Sequence, residues 1–405
     1  MAAPEGSREQ LRRLSVLIAA SGIDMIGFAM VFPLLPLYAR DLEATPEEIG
    51  VLLAAYSVAQ LLMAPIWGRV SDRYGRRPAL LIGLTAAAAA YLVFAFADSF
   101  WLLLLSRLVQ GAGGGTTAVA HAYVADTIQP SDRARALGWL SAASSLGVAV
   151  GPVFGSAAAH WGQAGPGLIA AGLCLINVAF AWRMLPESRS PAEPGAPLAV
   201  RRPVWHAAWS VIQHPDRPVS RFVFIYGAGM LGFTAVTAVQ SLYLVDKFGM
   251  TAETIGYVFM YMGMLSLVMR SLLLGPIIKR VGEAGAMRIG TAALTLGLFL
   301  YPAAGSLLVL ALIIPLMPVG TALLFPATTS LMSRASSREE LGLTMGVAQT
   351  FAGLARVAAP LLSNSAYQRF GIGSPFLLAG ATVALVGVLA FRVTSARPAP
   401  AEEHP

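Results

Sequence analysis

The feature that most constrains this sequence is a series of long apolar runs. They reach twenty residues or more between short breaks that are basic or rich in glycine and proline, and only 12% of the 405 residues are charged. About twenty apolar residues in a helix cross the ~30 Å hydrocarbon core of a bilayer. Only helices and closed barrels satisfy their backbone hydrogen bonds there, and barrel strands would show alternating segments of about ten residues. The runs therefore predict an all-α membrane protein.

Twelve transmembrane helices can be placed along the chain. The first apolar stretch ends in PLLPLYAR and not in a small-residue cleavage site, so it is predicted to be a retained span. The predicted spans cover residues 13–39, 50–68, 78–97, 101–124, 135–158, 165–185, 219–243, 254–275, 285–304, 306–331, 340–363 and 374–394.

The 28 basic residues predict the orientation. Three lie well inside spans, three lie on one set of loops, and the other 22 lie on the opposite loops and the tails. Basic residues accumulate on the cytoplasmic side of membrane proteins, so the side with 22 and both termini are predicted to be cytoplasmic. The net charge of +7 is then a topology signal, and no nucleic-acid partner is predicted. The six exceptions are Arg107, Arg270 and Arg356 within spans, and Arg40, Lys247 and Arg369 on the loops.

The two parts of the sequence repeat each other. Residues 45–50 (TPEEIG) are echoed by residues 251–256 (TAETIG), and three glycines that begin with Gly68 recur 207 positions later, beginning with Gly275. Such a repeat predicts two six-helix halves with a pseudo-twofold relation and a substrate site between them at the midplane. The predicted domains are the first half at 1–185, a cytoplasmic linker at 186–216 with a short amphipathic helix, the second half at 217–396, and a cytoplasmic tail at 397–405.

The loop between spans 2 and 3 carries the most specific motif. Its sequence GRVSDRYGRR resembles the signature loop of the major facilitator superfamily. The resemblance implies a charge latch on the cytoplasmic surface, and Asp126 at the end of span 4 is the nearest candidate partner for its arginines. The second-half copy has Lys279 where Asp72 stands, so no matching latch is expected there. The predicted latch comprises Gly68, Asp72, Arg73, Gly75, Arg76, Arg77 and Asp126.

Span 4 contains RLVQGAGGG, which starts at Arg107 and resembles the buried-arginine motif that the family links to proton coupling. An arginine at membrane depth is costly and normally faces a cavity or a partner. Span 5 contains GVAVGPVFG, which resembles the motif that marks antiporters of this superfamily. Its small residues also make a smooth packing face, and the proline lets the helix bend. The motif residues are Gly147, Gly151, Pro152 and Gly155.

Span 1 narrows the resemblance to the bacterial tetracycline and multidrug proton antiporters, because Asp24 stands nine residues before the PxxP that begins at Pro33. Desolvation at mid-membrane favours the protonated form of a carboxyl, so Asp24 is predicted to carry a proton. The competing interpretation is a structural acid neutralised by a helix end or an arginine. Two departures weaken tetracycline as the substrate: Ser266 and Leu294 stand near positions where those exporters have a histidine and an acid.

Three deep arginines against one deep acid make neutral, zwitterionic or acidic amphiphiles at least as suitable as cationic drugs. Other polar residues on spans are candidates for the substrate cavity, although most such residues join helices together. The cavity candidates are Tyr56, Gln60, His121, Tyr123, Tyr226, Gln240, Tyr261, Arg270, Gln349 and Arg356.

The predicted function is proton-coupled export of amphipathic small molecules across the bacterial inner membrane by a monomer. A facilitator or proton symporter for a small metabolite, or a membrane scaffold or sensor, are the alternatives, since a fold alone does not define a function. Neither Lys247 nor Lys279 follows a glycine, so no GxxxxGK phosphate loop occurs, and HExxH and GxSxG are also missing. The single Cys174 allows no cysteine-based metal site, so no enzyme activity, cofactor or metal is predicted.

Overall fold

The computed structural model describes residues 5–188, 204–337 and 340–391. Over these ranges the regular structure is entirely helical. The α-helices are α1 (Glu5–Val31), α2 (Leu35–Asp41), α3 (Pro46–Tyr74), α4 (Arg76–Ala95), α5 (Phe100–Gly113), α6 (Thr116–Thr127), α7 (Pro130–Ala158), α8 (Ala164–Met184), α9 (Val204–Gln213), α10 (Pro218–Phe248), α11 (Ala252–Val268), α12 (Leu274–Leu300), α13 (Leu307–Ile313), α14 (Leu316–Ala335), α15 (Leu341–Phe370) and α16 (Ser374–Phe391).

Local sequence explains where several helices begin and break. Thr45 and Glu48 form a reciprocal capping box at the start of α3, and Pro46 occupies its first turn. Predicted span 1 is divided into α1 and α2 around Pro33. Predicted span 4 is likewise interrupted at Gly114, between α5 and α6. Each interruption falls where proline or glycine weakens the helical ladder.

Ten helical segments in the described part of the chain are long and apolar enough to cross a membrane. One of them, Ala252–Ala303, is 52 residues long and covers predicted spans 8 and 9. It contains a π-helical segment at Met269–Leu273 and a kink at Gly282, where φ is 72°. The prediction of an all-α membrane protein is therefore confirmed.

The chain forms two compact units. The first comprises Met1–Ala199, Thr237–Leu267 and Pro360–Ile372, and the second comprises the rest. In the first unit α1 packs along α7 and α8, and α4 packs against α8 and α5. In the second unit α12 packs against α14 and α16. Helix α9 lies where a short amphipathic helix is predicted, whereas linker residues 189–203 and the tail at 397–405 lie outside the described residues.

Candidate functional site

Asp24 lies on the wall of a cavity inside the first unit. The cavity is lined by residues of α1, α4, α6, α7 and α8, and hydroxyl groups contribute to an otherwise mostly apolar lining. The hydroxyl of Thr116 donates a hydrogen bond of 3.1 Å to Asp24 Oδ2. Among the described side chains no cation forms an ion pair with this carboxyl. An acid in an apolar helix with a hydroxyl donor and no cation can hold either a proton or a negative charge.

Arg107 on α5 is 3% exposed. Its Nε donates to Ser106 Oγ at 3.3 Å, and its guanidinium stands 5.6 Å from the centre of the Phe94 ring. Its Nη2 has no hydrogen-bond partner among the described residues. Gln110, one turn along α5, donates to the hydroxyl of Tyr91. The structure therefore brings Arg107 into an aromatic environment and not into an ion pair.

The glycines after Arg107 allow close packing of α5 against α3 and α4. A Cβ atom at Gly111 would collide with the backbone oxygen of Tyr56 on α3. One at Gly113 would lie 2.9 Å from Ala86 Cβ and 3.1 Å from Gly83 O on α4. These close approaches are what small residues permit at membrane-type helix interfaces. The glycines of this run therefore serve helix packing.

The antiporter-like motif lies on α7 with its glycines against α1. A Cβ atom at Gly147 would lie 2.6 Å from Gly22 O, and one at Gly151 would lie 2.8 Å from Ile26 O. Gly155 approaches the backbone of Met30 in the same way. These contacts lie on both sides of Asp24 along α1. The glycine face therefore fixes the separation between α1 and α7 next to Asp24.

An ion-pair cluster, which we call the first-half latch, joins Asp72 at the end of α3, Arg76 at the start of α4 and Asp126 at the end of α6. Arg76 Nε lies 2.8 Å from Asp126 Oδ2, and Arg76 Nη1 lies 2.8 Å from Asp72 Oδ1. Arg76 Nη1 also donates to Ser71 Oγ at 2.6 Å, and the Arg76 side chain is 8% exposed. Gly75, with φ 103°, turns the chain into α4.

The other predicted latch residues are less involved. Arg77 donates to the backbone oxygen of Trp182, and Arg73 lies over the ring of Tyr74. A Cβ atom at Gly68 would meet nothing within 4 Å, so no close approach explains that glycine.

Sequence reasoning missed Glu187, which follows α8. Its carboxylate accepts hydrogen bonds from the backbone N–H groups of Arg76 at 2.7 Å and Arg77 at 3.1 Å. These N–H groups lie in the first turn of α4, where they have no carbonyl partner within the helix. The helix dipole also favours a negative charge at this end. The signal was a lone acid just after the sixth predicted span, which reads as an ordinary charged linker residue.

The opposite helix ends of the first unit carry a second polar network that the sequence did not reveal. Arg40 makes a bidentate contact with Asp246, at 2.6 and 2.8 Å, and the hydroxyl of Tyr367 donates to the same carboxylate at 2.6 Å. A second pair joins Arg369 and Glu47 at 2.8 Å. Arg40 and Arg369 are two of the three basic residues on the side predicted to be extracellular, and both pair with acids.

The cavity candidates occupy different environments. In the first unit Tyr123 and Gln240 are buried: the hydroxyl of Tyr123 donates to Pro186 O at 2.8 Å, and Gln240 Nε2 contacts Met262 Sδ at 2.9 Å. Gln60 donates to the hydroxyl of Tyr56 at 3.2 Å.

The remaining candidates also differ in their exposure. His121 and Tyr261 in the first unit are exposed. In the second unit Tyr226 is buried, Arg356 is half-buried, and Arg270 and Gln349 are exposed. Their proposed role in substrate binding stays a prediction.

Ten long apolar helical segments in the described part of the chain, the first of which carries Asp24, are typical of a multi-pass membrane protein of the transporter class. The family model for the Major Facilitator Superfamily matches residues 17–317 and 222–405. The chain therefore belongs to the Major Facilitator Superfamily, and the resemblance to its drug-resistance transporters is confirmed by the relatives below.

Curated relatives and solved structures agree with this assignment. The chain is 31% identical to the tetracycline resistance protein, class C, of Escherichia coli, over 87% of this chain and 89% of that one. It is 26% identical to multidrug resistance protein 2 of Bacillus subtilis (strain 168), over 94% of each. The crystal structure of the human organic anion transporter MFSD10 (TETRAN) matches with a TM-score of 0.68 at 23% identity, over 96% of this chain and 100% of that one. At 23% identity this structural match shows a shared fold alone.

Proposed function

We propose that the chain is a proton-coupled antiporter that exports amphipathic small molecules, of the tetracycline or multidrug type, by alternating access. It acts in the bacterial inner membrane as a monomer, with both termini in the cytoplasm. A proton from outside and a substrate from inside compete at or near Asp24, so each inward proton expels substrate.

The observation that carries the proposal is the setting of Asp24. A carboxyl in the middle of an apolar helix is costly unless it has a task or a partner. The described structure gives it one hydroxyl donor, a cavity wall and no cation. The interpretation of Asp24 as a merely structural acid requires a neutralising arginine or helix end. No arginine pairs with Asp24 in the described residues, and Thr116 at the start of α6 reaches it through a side-chain hydroxyl.

Twelve spans in two six-helix halves fit the helices. Ten segments have the length and composition of spans. Ala252–Ala303 is 52 residues long, enough for two crossings that turn at Gly282. The interrupted pair α5 and α6 adds one more crossing, because together these helices run from Phe100 to Thr127. Counted in this way, six spans fall within 1–185 and six within 217–396.

The tested compounds should differ in charge. Arg107 has no acidic partner in the described structure, and Asp24 is the one acid predicted at depth. Tetracycline as a zwitterion, ethidium as a cation and an anionic fluorescent dye therefore cover the classes that the cavity could accept.

The test uses everted vesicles with an established pH gradient. We expect at least one of the three compounds to collapse the gradient in the wild type and not in Asp24→Asn. The matched control is Asp98→Asn, which changes an exposed aspartate in the loop before α5 and should behave as the wild type. Downhill uptake of a metabolite by both wild type and Asp24→Asn, with no compound moving protons, would replace the antiporter with a facilitator.

A further inference from the structure

The hydroxyl donor to Asp24 comes from an unusual place in span 4. Helix α5 ends at Gly113 and α6 begins at Thr116. Between them the backbone makes short-range hydrogen bonds, from Gly114 N to Gly111 O at 3.0 Å and from Gly115 N to Gly113 O at 2.9 Å. Thr116 is thus the first residue of a helix whose start is set by the glycine interruption.

Neighbouring helices hold this interruption in place. A Cβ atom at Gly115 would lie 2.5 Å from Trp67 Cγ, so the indole of α3 presses directly on the backbone just before Thr116. On the other side a Cβ atom at Gly83 would lie 2.8 Å from Thr116 Cγ2, so only glycine leaves room for the threonine methyl group. With its methyl group against α4, the hydroxyl of Thr116 reaches Asp24 Oδ2.

The other groups around the carboxyl are neutral or more distant. On α7, Ser144 lines the same cavity, and on α6 so does Thr117. Among the described residues, Tyr91 on α4 and Cys174 on α8 are titratable side chains close enough to Asp24 for their charged forms to be affected by its charge. In the described part of the chain, the hydrogen bond to the Asp24 carboxyl comes from Thr116.

We propose that Thr116 is a positioning residue for proton coupling, whose hydroxyl stabilises the ionised carboxylate of Asp24 and so sets the pH range in which the proton is released. The role of Thr116 in transport rests on the proposed function. Its effect on the protonation of the Asp24 carboxyl does not. A donor that bonds the charged form of an acid favours that form. Without the donor, the proton is released only at higher pH.

The experiment measures protonation of Asp24 directly. Dicyclohexylcarbodiimide reacts with protonated carboxyls in apolar surroundings, and the adduct on the Asp24 peptide is quantified by mass spectrometry across a pH series of the purified full-length protein. Thr116→Val keeps the size of the side chain and removes the hydroxyl. We expect its half-labelling point to move to higher pH by roughly one unit, as for loss of a hydrogen bond to a charged group.

Two variants separate the hydroxyl from its surroundings. Thr116→Ser keeps the donor and should restore the wild-type half-labelling point, and Thr117→Val removes a hydroxyl from the same cavity and should leave that point unchanged. The inference is overturned if Thr116→Val labels with the wild-type pH profile, or if Thr116→Ser shifts as far as the valine variant. An equal shift in Thr117→Val would also overturn it, since general cavity polarity would then be the cause.

Failure of this inference and failure of the proposed function are distinguishable. If Asp24→Asn abolishes compound-driven proton movement while Thr116→Val labels as wild type, the antiporter stands and Thr116 has no part in it. If Thr116→Val shifts the labelling while Asp24→Asn still exports uphill, the hydrogen bond sets the protonation of Asp24 but that proton does not drive transport.

Discussion

The first-half latch and its counterpart in the second half use the same backbone feature with opposite charges. Gly75 precedes α4 with φ 103°, and Gly282 interrupts α12 with φ 72°. The next residue is Arg76 in the first half and Glu283 in the second. Arg76 pairs with Asp126 at 2.8 Å, and Glu283 pairs with Arg334 at 2.8 Å.

The opposite order of charges in the two pairs follows from the different charge that stands at each helix start. A cation at a helix N-terminus opposes the dipole, so Arg76 depends on acids around it, and Glu187 supplies the charge that the backbone N–H groups prefer. In the second half Glu283 is itself the favoured charge, and the hydroxyl of Ser330 donates to it at 2.6 Å. The repeat therefore preserves the site of the ion pair and not its sign.

The two pairs also differ in burial. Arg76 is 8% exposed and Asp126 is 26% exposed, whereas in the second pair Glu283 is 14% exposed and Arg334 is 72% exposed. Solvent weakens an exposed ion pair strongly, while removing one partner of a buried pair leaves an uncompensated charge. The first-half latch should therefore contribute more to stability than the second-half pair.

Charge reversal at Arg76 should have the largest effect. Arg76→Glu places an acid among Asp72, Asp126 and Glu187, and we expect a loss of about 3 kcal/mol in stability, seen as a lower thermal midpoint of the purified protein. The double variant Arg76→Glu with Asp126→Arg should recover only part of the loss, because Asp72 and Glu187 still face the new acid.

The same exchange in the second half is the control. Glu283→Arg with Arg334→Glu should recover a larger share of the loss caused by Glu283→Arg alone than the first-half exchange does, because no further acid is paired there in the described structure. The contributions of the helix dipole and of Ser330 should stay lost. Equal recovery in both halves would show that the surrounding acids do not distinguish them.

The sequence predicted much of the fold because hydrophobicity and composition carry that information directly. The apolar runs located the helices, and Pro33 and the glycines after Arg107 fall at the interruptions. The charge partners were less accessible. Lys279 aligns with Asp72, so the sequence predicted no ion pair in the second half. The observed pair is made by Glu283 and a residue about fifty positions later.

The candidate site was predicted in part for a related reason. Asp24 stands out as an acid in an apolar run, and a single residue is enough to reveal it. Thr116 and Glu187 are ordinary residues whose role depends on contacts from distant helices. Arg40 and Asp246 are separated by 206 positions, a distance over which a single sequence gives no pairing signal.

Replacing the two glycines by alanine should have an intermediate effect. Both have backbone angles that are essentially restricted to glycine, with ψ near 160° at Gly75 and 173° at Gly282, so each alanine should cost roughly 1–3 kcal/mol. A Cβ atom at Gly75 would also collide with the Glu187 carboxylate, while one at Gly282 would meet nothing within 4 Å. Thermal unfolding should therefore rank Gly75→Ala as the more harmful change, and the reverse order would mean that Glu187 moves aside without loss.

The smallest effects should come from the neutral variants Glu187→Gln and Arg334→Gln. Glu187→Gln keeps one oxygen acceptor, but it loses the second acceptor and the charge, so about 1 kcal/mol should be lost at the start of α4. Arg334→Gln removes a largely exposed partner, and the loss should stay below about 0.5 kcal/mol. Raising the ionic strength should narrow the difference between wild type and Arg334→Gln, since exposed charges are screened within about a Debye length. A larger loss of stability in Arg334→Gln than in Glu187→Gln would contradict the ranking. It would mean that the ion pair of the exposed Arg334 stabilises the protein more than the acid at the start of α4, so burial would not explain the difference between the halves.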